Sequence, residues 1–331
     1  MPVTIKDRSL DPPVFLAPLA GITDLPFRNL VSRFAAGLVV SEMIASQEMV
    51  QARPGTRAKA ELGLGIENTA VQIAGRDAQW MAEAARMVEA QGARLIDINM
   101  GCPAKKVTSS SGDGAAGSAL MRDPDLALRL IEAVVGAVRL PVTLKTRLGW
   151  DDTLRNAPEL ARRAEAAGIR MITIHGRTRC QFYKGRADWE AIAAVKAVVS
   201  IPVIANGDII DSASARAALR ASGADGVMIG RGAQGQPWQL AQIAHDIYGA
   251  PAPLVPRGAA LADLVGGHYT AILSFYGRDP GLRIARKHLG WYMDRAGTGP
   301  ALRRAILTAR DADEVARLIG PAMAHDQRHA A

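Results

Sequence analysis

Cysteines are scarce in this chain, and long apolar runs are missing from it. Its 331 residues include two cysteines, Cys102 and Cys180, and neither has a Cys-x-x-Cys partner. The six histidines show no spacing typical of metal ligands, so neither a disulfide framework nor a metal site is expected. No apolar stretch is long enough to span a bilayer, and the first residues lack the apolar core of a secretory signal. We therefore expect a cytoplasmic protein without a membrane span.

Positive charge, by contrast, is in excess. The chain has 40 Lys and Arg residues against 32 Asp and Glu residues, which gives a formal net charge of +8. This balance favours a polyanionic partner such as a nucleic acid, although many basic proteins bind none. The length predicts one large domain and one small domain, because single cores rarely grow beyond about 250–300 residues.

Short apolar segments alternate with helix-period stretches from Val14 to about Gly230, which is the pattern of repeated βα units. The eight strand candidates are Val14–Pro18, Leu38–Glu42, Ala70–Ala74, Leu95–Asn99, Val142–Thr146, Met171–His175, Val203–Ala205 and Gly226–Ile229. The helices predicted between them include Ala78–Ala90, Pro124–Val138, Ala157–Ala167, Trp189–Val198 and Ser212–Ala221. This alternation predicts an α/β fold, the closed (β/α)8 TIM barrel. The alternative, an open doubly wound sheet, needs a Gly-rich dinucleotide motif after the first strand, and Ala17–Gly21 does not supply one.

The composition changes after the predicted barrel. Residues 249–256 form a Pro-rich stretch that cannot continue a helix and is typical of a linker. From Leu261 to about Ile319 the pattern is helical, with basic residues distributed along it. We therefore predict a barrel domain over residues 1–248, a linker over 249–256 and a small all-α helical bundle with a basic face over 257–331. The tail Ala322–Ala331 is short and polar, and we expect it to fray.

Functional groups in a TIM barrel lie at the C-terminal ends of the strands. The residues at or just past those ends are Pro18, Leu19, Ala20, Glu42, Gln72, Asn99, Cys102, Lys145, Arg147, His175, Arg177, Asn206, Gly207, Asp208, Gly230 and Arg231. Polar residues at so many successive strand ends are hard to explain as solvated caps. We expect these side chains to converge on one mouth.

A phosphate site is predicted after the last two strands. The eighth unit passes from its strand through Gly230, Gly232 and Gly235 into a helix that we expect to begin near Pro237. Backbone amides at a Gly-rich turn and a helix N-terminus bind anions, and barrels often place phosphate here. Tight loop packing explains the glycines equally well when they are taken alone. The segment Asn206-Gly207-Asp208 on the preceding strand favours the phosphate interpretation.

Three further residues carry candidate chemistry, each with an ordinary alternative. Lys145 ends an apolar strand, where an ammonium needs an anion or a reduced flavin beside it, unless it is a surface lysine on a loop. His175 binds a cofactor or an anion, or it is a core histidine. Cys102 starts the Gly/Ser-rich region that contains Thr108–Ser118, a loop that can close as a lid over a reactive thiol. The alternative is that Cys102 is a small buried residue without a chemical role. We assign no role to Cys180.

Several motifs together resemble the tRNA-dihydrouridine synthases, most closely the bacterial B-type. They are Ala17-Pro-Leu-Ala-Gly-Ile-Thr-Asp24, Val71-Gln-Ile-Ala-Gly75, Asp97-Ile-Asn-Met-Gly-Cys-Pro-Ala-Lys-Lys-Val107, His175-Gly-Arg-Thr178, Ile204-Ala-Asn-Gly-Asp208, Met228-Ile-Gly-Arg-Gly232 and Arg286-Lys-His-Leu-Gly-Trp-Tyr292. Each motif is weak alone, but their order over nearly the whole chain is specific. One departure is the connection from Thr108 to Ala115, which looks longer than the family's usual one.

The resemblance implies a flavoenzyme in which NADPH reduces FMN. The residues that it assigns to the cofactor are Pro18, Leu19, Ala20, Gln72, Lys145, His175, Asn206, Gly207, Asp208, Gly230 and Arg231. Hydride would then pass from flavin N5 to uracil C6, and Cys102 would donate the proton to C5. Lys145 would stabilise the anionic reduced ring.

The resemblance also implies a tRNA substrate whose target uridine lies in the D-loop and must leave its stack. Asn99 and Arg177 are assigned to the substrate, and Arg283, Arg286 and Lys287 to tRNA phosphates, against the alternative of ordinary solvated charges. We expect a monomer. Two other classes stay open: a barrel flavoprotein that acts on a free pyrimidine or another small metabolite, and an RNA-binding protein on a degenerate barrel. The first does not explain the basic helical region, and the complete set of strand-end polar residues argues against the second.

Overall fold

Eight parallel strands close into a barrel. The computed structural model describes residues 2–51, 68–109 and 116–324. The barrel strands are β3 (Val14–Leu16), β4 (Leu38–Val40), β6 (Thr69–Ala74), β7 (Leu95–Met100), β8 (Val142–Arg147), β9 (Ile172–His175), β10 (Val203–Asn206) and β11 (Gly226–Ile229). They follow one another around the ring, and the pairing of β4 with β6 closes it. The predicted TIM barrel is confirmed, and a closed ring excludes the open doubly wound sheet.

Three strands lie outside the ring. The antiparallel hairpin of β1 (Val3–Ile5) and β2 (Arg8–Leu10) packs its apolar side chains with Phe15 and Leu38 at the N-terminal end of the barrel. The two-residue strand β5 (Ile44–Ala45) pairs with the C-terminal part of β6. The hairpin therefore fills one end of the barrel and leaves the opposite end for a site.

Helices alternate with the barrel strands. They are α1 (Leu25–Ser32), α2 (Ser46–Val50), α3 (Ala78–Ala90), α4 (Lys105–Thr108), α5 (Pro124–Ala137), α6 (Ala157–Ala166), α7 (Glu190–Lys196), α8 (Ser212–Ser222) and α9 (Gln239–Tyr248). Aspartates cap four of them, because the carboxylates of Asp24, Asp77, Asp123 and Asp211 accept hydrogen bonds from first-turn N–H groups. The five helices that we predicted by range are confirmed, with ends shifted by at most one or two residues.

Two predicted segments lie partly outside the described residues. Residues 110–115 of the predicted loop Thr108–Ser118 lie outside the described residues. The same holds for residues 325–331 of the predicted tail Ala322–Ala331.

Four further helices follow the barrel, as predicted. They are α10 (Gly258–Tyr276), α11 (Arg278–Ala296), α12 (Pro300–Thr308) and α13 (Ala312–Met323), and they share a second hydrophobic core. Trp238, just before α9, belongs to that second core and packs edge-on against Phe34 of the barrel. The helices therefore rest on the barrel through an apolar contact. The division into domains at residues 248 and 257 stays a prediction.

Buried histidines lie where the helices meet the barrel. The rings of His268 and His288 are 4.9 Å apart, and both contact Phe27 of α1. Burial lowers the pKa of His268 to about 3 and lowers that of His288 well below its ordinary value. Both imidazoles are therefore neutral at neutral pH. None of the helices in the described ranges is long and apolar enough to cross a membrane.

Candidate active site

A cavity of about 650 Å³ opens at the C-terminal end of the barrel. Its size lies within the range of small-molecule and cofactor sites. The predicted residues that line it are Pro18, Leu19, Ala20, Gln72, Asn99, Cys102, Lys145, His175, Asn206, Gly207, Asp208, Gly230 and Arg231. The structure thus brings together the catalytic candidate, all cofactor candidates and one substrate candidate, although their individual roles stay predictions.

Lys145 is buried at the cavity wall, where the charge of Asp97 acts on it without a direct ion pair. Its ammonium donates a hydrogen bond of 3.1 Å to Asn206 Oδ1, and Asn206 in turn donates to the carbonyl of Met228. Burial and the nearby Arg147 lower the pKa of Lys145 to about 8. No ion pair joins Lys145 to an acid among the residues that the structure describes. A buried cation of this kind fits an anionic group in the cavity, such as a reduced flavin.

His175 lies in the same cationic wall. Burial, together with the charges of Lys145, Arg147, Arg177 and Arg231, lowers its pKa well below the ordinary value. The imidazole is therefore neutral at neutral pH, and it presents one N–H donor and one acceptor nitrogen. Gly207 adopts a φ of +110°, and a Cβ there would lie 2.9 Å from His175 Cδ2. Only glycine allows this close approach.

Asp208 holds two arginines at the predicted phosphate end. Arg177 forms a two-pronged pair with it, at 3.0 and 2.6 Å, and Arg231 adds a bond of 3.1 Å. Burial raises the pKa of Asp208, but the hydrogen bonds and positive charges outweigh this and lower it. Arg231 is 57% exposed at its side chain, so it can turn toward an anion, whereas Asp208 would repel one. In this arrangement the Asp208 carboxylate orients two cations, and the predicted contact of Asp208 with a phosphate stays a prediction.

The loop after β11 differs slightly from the expectation. A short 3-10 helix covers Arg231–Ala233, and the α-helix α9 begins at Gln239, two residues after the predicted start near Pro237. The N–H groups nearest the cavity are therefore those at Gly230–Gly232, which also line it. Phosphate binding by backbone N–H groups is expected at this turn.

The backbone of Cys102 is held at both its N–H and its carbonyl. The N–H donates to Asn99 Oδ1 at 3.0 Å, and the carbonyl accepts from the N–H and the hydroxyl of Ser118 at 3.1 and 2.8 Å. The side chain is half-buried at the cavity wall, whereas Cys180 is exposed and does not line the cavity. Such fixation suits a group that must deliver a proton at one position.

Several lining residues were not assigned a role from the sequence. Arg147 is almost fully buried and donates to the carbonyls of Gly101, Thr178 and Phe182. Phe182 has a positive φ of 55°, and its ring packs edge-on against Tyr183. The guanidinium groups of Arg147 and Arg231 both lie within 6 Å of the Tyr183 ring. The position of Arg147 at a strand end was the signal available for it, and nothing in the pattern marked the two aromatic residues.

Four predicted substrate residues do not line the cavity. Arg177 is buried behind it, where Asp208 and the carbonyls of Lys184 and Gly185 use its donors. Lys287 lies beside Gly21, the residue after the lining residue Ala20, with Nζ 3.1 Å from where a Gly21 Cβ would be.

The other two of these residues are Arg283 and Arg286, both on α11. Arg283 is exposed, whereas Arg286 is half-buried and donates to the carbonyl of Ala309. Arg283 and Lys287 thus stay candidates for an external anion. Within the described ranges, no group of three or more His, Cys, Asp or Glu residues is arranged to hold a metal ion.

The chain is similar to known proteins over nearly its whole length. The family model described as dihydrouridine synthase matches residues 15–325. A probable tRNA-dihydrouridine synthase of Rhodobacter capsulatus is 64% identical over 313 residues, which covers 94% of each chain. A tRNA-dihydrouridine synthase B of Vibrio cholerae is 47% identical over 304 residues, which covers 91% of this chain and 92% of that one.

Solved structures are similar in fold. A histamine dehydrogenase from Rhizobium sp. 4-9 has a TM-score of 0.58 at 12% identity, and the likeness covers 99% of this chain and 64% of that one. A morphinone reductase has a TM-score of 0.53 at 15% identity, over 76% of this chain and 90% of that one. At such identities the likeness concerns the fold alone, whereas the family match and the curated relatives concern the sequence itself. The resemblance predicted from the motifs is confirmed: this chain belongs to the dihydrouridine synthase family.

Proposed function

We propose that this chain reduces a uridine in the D-loop of tRNA to 5,6-dihydrouridine, with FMN as cofactor and NADPH as reductant. The observation that carries the proposal is that one cavity joins a buried ammonium, Lys145, which forms no ion pair among the described residues, to a half-buried thiol, Cys102. The family membership and the names of the curated relatives support the same substrate.

The cavity fits FMN at both of its ends. Lys145 and Gln72 supply donors at the barrel axis, where the flavin ring would lie, and Pro18–Ala20 form an apolar wall beside them. Arg231 and the N–H groups of Gly230–Gly232 supply donors at the phosphate end. Bound FMN, reduced by NADPH, supplies hydride from N5 to C6 of the uracil.

The chain's own residues complete the reduction. A saturated C5–C6 bond needs a proton at C5 in addition to the hydride at C6, and the Cys102 thiol donates that proton. The resulting thiolate interacts with the charges of Lys145 and Arg147, which both lie close enough to Cys102 for this. Solvent then reprotonates the thiol for the next turnover. Proton transfer by a positioned group typically contributes about 10²- to 10⁴-fold to the rate.

The base is held by the polar edge of the cavity. Asn99 uses one amide hydrogen on Gln72 Oε1, at 2.7 Å, and its second hydrogen is left for a uracil carbonyl. The rings of Phe182 and Tyr183 stand at the mouth, 38% and 49% exposed. Aromatic faces of this kind stack with bases that have left their helix. Arg283 and Lys287 lie on the adjoining helical face, where tRNA phosphates would pass.

Two measurements test the proposal. The purified protein should show flavin absorption, or gain it on reconstitution with FMN, and tRNA from cells lacking the protein should lose one dihydrouridine by mass spectrometry. Unchanged tRNA from such cells would overturn the proposal. To separate the free-pyrimidine alternative, uridine and a tRNA transcript are compared as oxidants of the NADPH-reduced protein. Rapid oxidation by uridine alone would favour the alternative.

A further inference from the structure

Four buried side chains, two in the cavity wall and two below it, form one continuous hydrogen-bonded chain. Asp97 on β7 stands beside Gln72 on β6 and Thr143 on β8 in the strand register, and Asn99 follows two residues later on the same face. All four are less than 10% exposed. Only Gln72 and Asn99 line the cavity, so Asp97 and Thr143 form the layer below.

The bonds run in one direction. Asp97 accepts from Thr143 Oγ1 at 2.6 Å and from Gln72 Nε2 at 2.7 Å. Gln72 Oε1 accepts from Asn99 Nδ2 at 2.7 Å. Asn99 Oδ1 then accepts from the backbone N–H groups of Gly101 and Cys102 at 3.2 and 3.0 Å.

Both ends of this chain have a fixed polarity. A carboxylate only accepts hydrogen bonds, and a backbone N–H only donates them. A side-chain amide can do either, depending on which way it is turned. Between an acceptor at Asp97 and a donor at Cys102, the two amides have one arrangement that satisfies every bond. Reversing Gln72 would reverse Asn99 and set its NH₂ against the Cys102 N–H.

We propose that Asp97 is a positioning residue that fixes the orientation of the Gln72 and Asn99 amides and, through them, the backbone of Cys102. The inference rests on the proposed role of Cys102 as proton donor. It gives Asp97, which touches neither the cavity nor a reacting atom, a part in the placement of the thiol. Burial raises the pKa of Asp97, and the bonds from Thr143 and Gln72 oppose that rise. Burying an ionised carboxylate at position 97 costs free energy of folding, and an apolar residue there would not have this cost.

The test reads the Cys102 thiol directly. In a Cys180→Ser background Cys102 is the sole thiol of the chain, so alkylation by iodoacetamide reports on it alone. The rate is taken at its high-pH plateau, where the thiol is fully ionised, so that a change in thiol pKa does not enter. Each variant is first brought to the same flavin content, and its melting temperature is recorded.

Three variants separate polarity from packing. In Asp97→Asn the new amide can donate to residue 72, reverse both amides and release the Cys102 N–H, and we expect the plateau rate to rise about tenfold. Thr143→Val removes one bond to Asp97 but keeps the direction of the rest, so its rate should stay within about twofold of the parent. In the double variant Asp97→Asn, Gln72→Glu the carboxylate at position 72 can only accept, so Asn99 again donates to it and accepts from the Cys102 N–H, and the rate should return to the parental value.

Equal plateau rates for Asp97→Asn and Thr143→Val would overturn the proposal. If Asp97→Asn does not fold, the double variant decides: the proposal expects it to fold and react like the parent, and its failure would mean that position 97 simply requires a carboxylate. The readout needs neither tRNA nor turnover. Absence of dihydrouridine synthesis in the parent would therefore count against the proposed function only. The alkylation rates would still test the positioning role of Asp97.

Discussion

Arg177 and Arg231 share the carboxylate of Asp208, with Arg177 buried below it and Arg231 extending from it into the cavity. One acid thus sets the position of a cation at the phosphate end. The buried guanidinium would lose its only carboxylate partner among the described residues if Asp208 were replaced.

We expect Asp208→Asn to weaken FMN binding by about tenfold, because Arg231 loses the partner that orients it. The melting temperature should also fall, because breaking a partly buried pair costs about 2 kcal/mol. Titration of the apoprotein with FMN, followed by flavin fluorescence, measures the first effect. Asp225→Asn is the matched control, since Asp225 pairs with Lys196 outside the cavity. Equal affinities for the two variants would contradict this role of Asp208.

Lys145 should make FMN binding depend on pH. Its pKa of about 8 in the folded protein lies below the ordinary 10.5. Below pH 8 the buried charge therefore lowers the free energy of unfolding, and between pH 8 and 10.5 the folded protein loses the proton and the free energy of unfolding rises. FMN favours the charged form, and its affinity should therefore fall by up to about tenfold between pH 7 and 9. In Lys145→Met the affinity should be low throughout and show no such fall. A parental slope retained in Lys145→Met would assign the titration to another group.

The two cysteines should differ sharply in their effect on turnover. Cys102→Ala should lower the rate of dihydrouridine formation by about 10²- to 10⁴-fold, because the proton donor is lost. Reduction of the flavin by NADPH does not use this proton and should be unchanged. Cys180→Ala, at the exposed cysteine, is the control and should keep the parental rate. Stopped-flow flavin absorbance with and without tRNA separates the two half-reactions.

The basic helical face should contribute to tRNA binding in a salt-dependent way. We expect Lys287→Glu and Arg283→Glu each to weaken tRNA binding and to lower the slope of log Kd against log salt by about one. Arg170→Glu reverses an exposed charge that precedes β9, at the opposite end of the barrel from the cavity, and should leave the slope unchanged. Filter binding across a salt series provides the measurement. Identical slopes for all three variants would remove this face from the interface.

Acid should loosen the junction between the helices and the barrel. His268 and His288 are neutral when buried but protonate near pH 6.5 in the unfolded chain, so stability is lost as pH falls below 6.5. The loss is about 1.4 kcal/mol per pH unit for each histidine until its folded pKa is reached. His288→Phe, which keeps the ring contacts with Phe27 and Trp291, should reduce this slope. The exposed His245 is the control, and His245→Gln should not change it.

The sequence predicted the eight barrel strands because each is a short apolar run followed by a polar or turning residue. It missed β1, β2 and β5, since two or three residues are too few for a period to be seen. The strand-end rule found every cofactor candidate on the cavity wall. That rule does not say which way a residue beyond the strand points, and Arg177, two residues past β9, turns into the protein instead.

The least predictable part of the site is the loop that carries Phe182 and Tyr183. Its place over the cavity depends on Arg147, which donates to the Phe182 carbonyl from 35 residues away. Such long-range bonds leave no trace in local periodicity. Asp97 was visible as part of a motif, but only the hydrogen bonds in the structure show that the order of donors and acceptors runs from Asp97 to Cys102.

The hairpin of β1 and β2 has a consequence for the order of events in turnover. Because it fills the N-terminal end of the barrel, the NADPH and the tRNA of the proposed reaction would use the same opening. The two substrates should then bind at the flavin one after the other, in a ping-pong mechanism. Double-reciprocal plots of the initial rate against one substrate, at several fixed concentrations of the other, should give parallel lines. Oxidised nucleotide, which competes for that opening, should act as a competitive inhibitor toward tRNA.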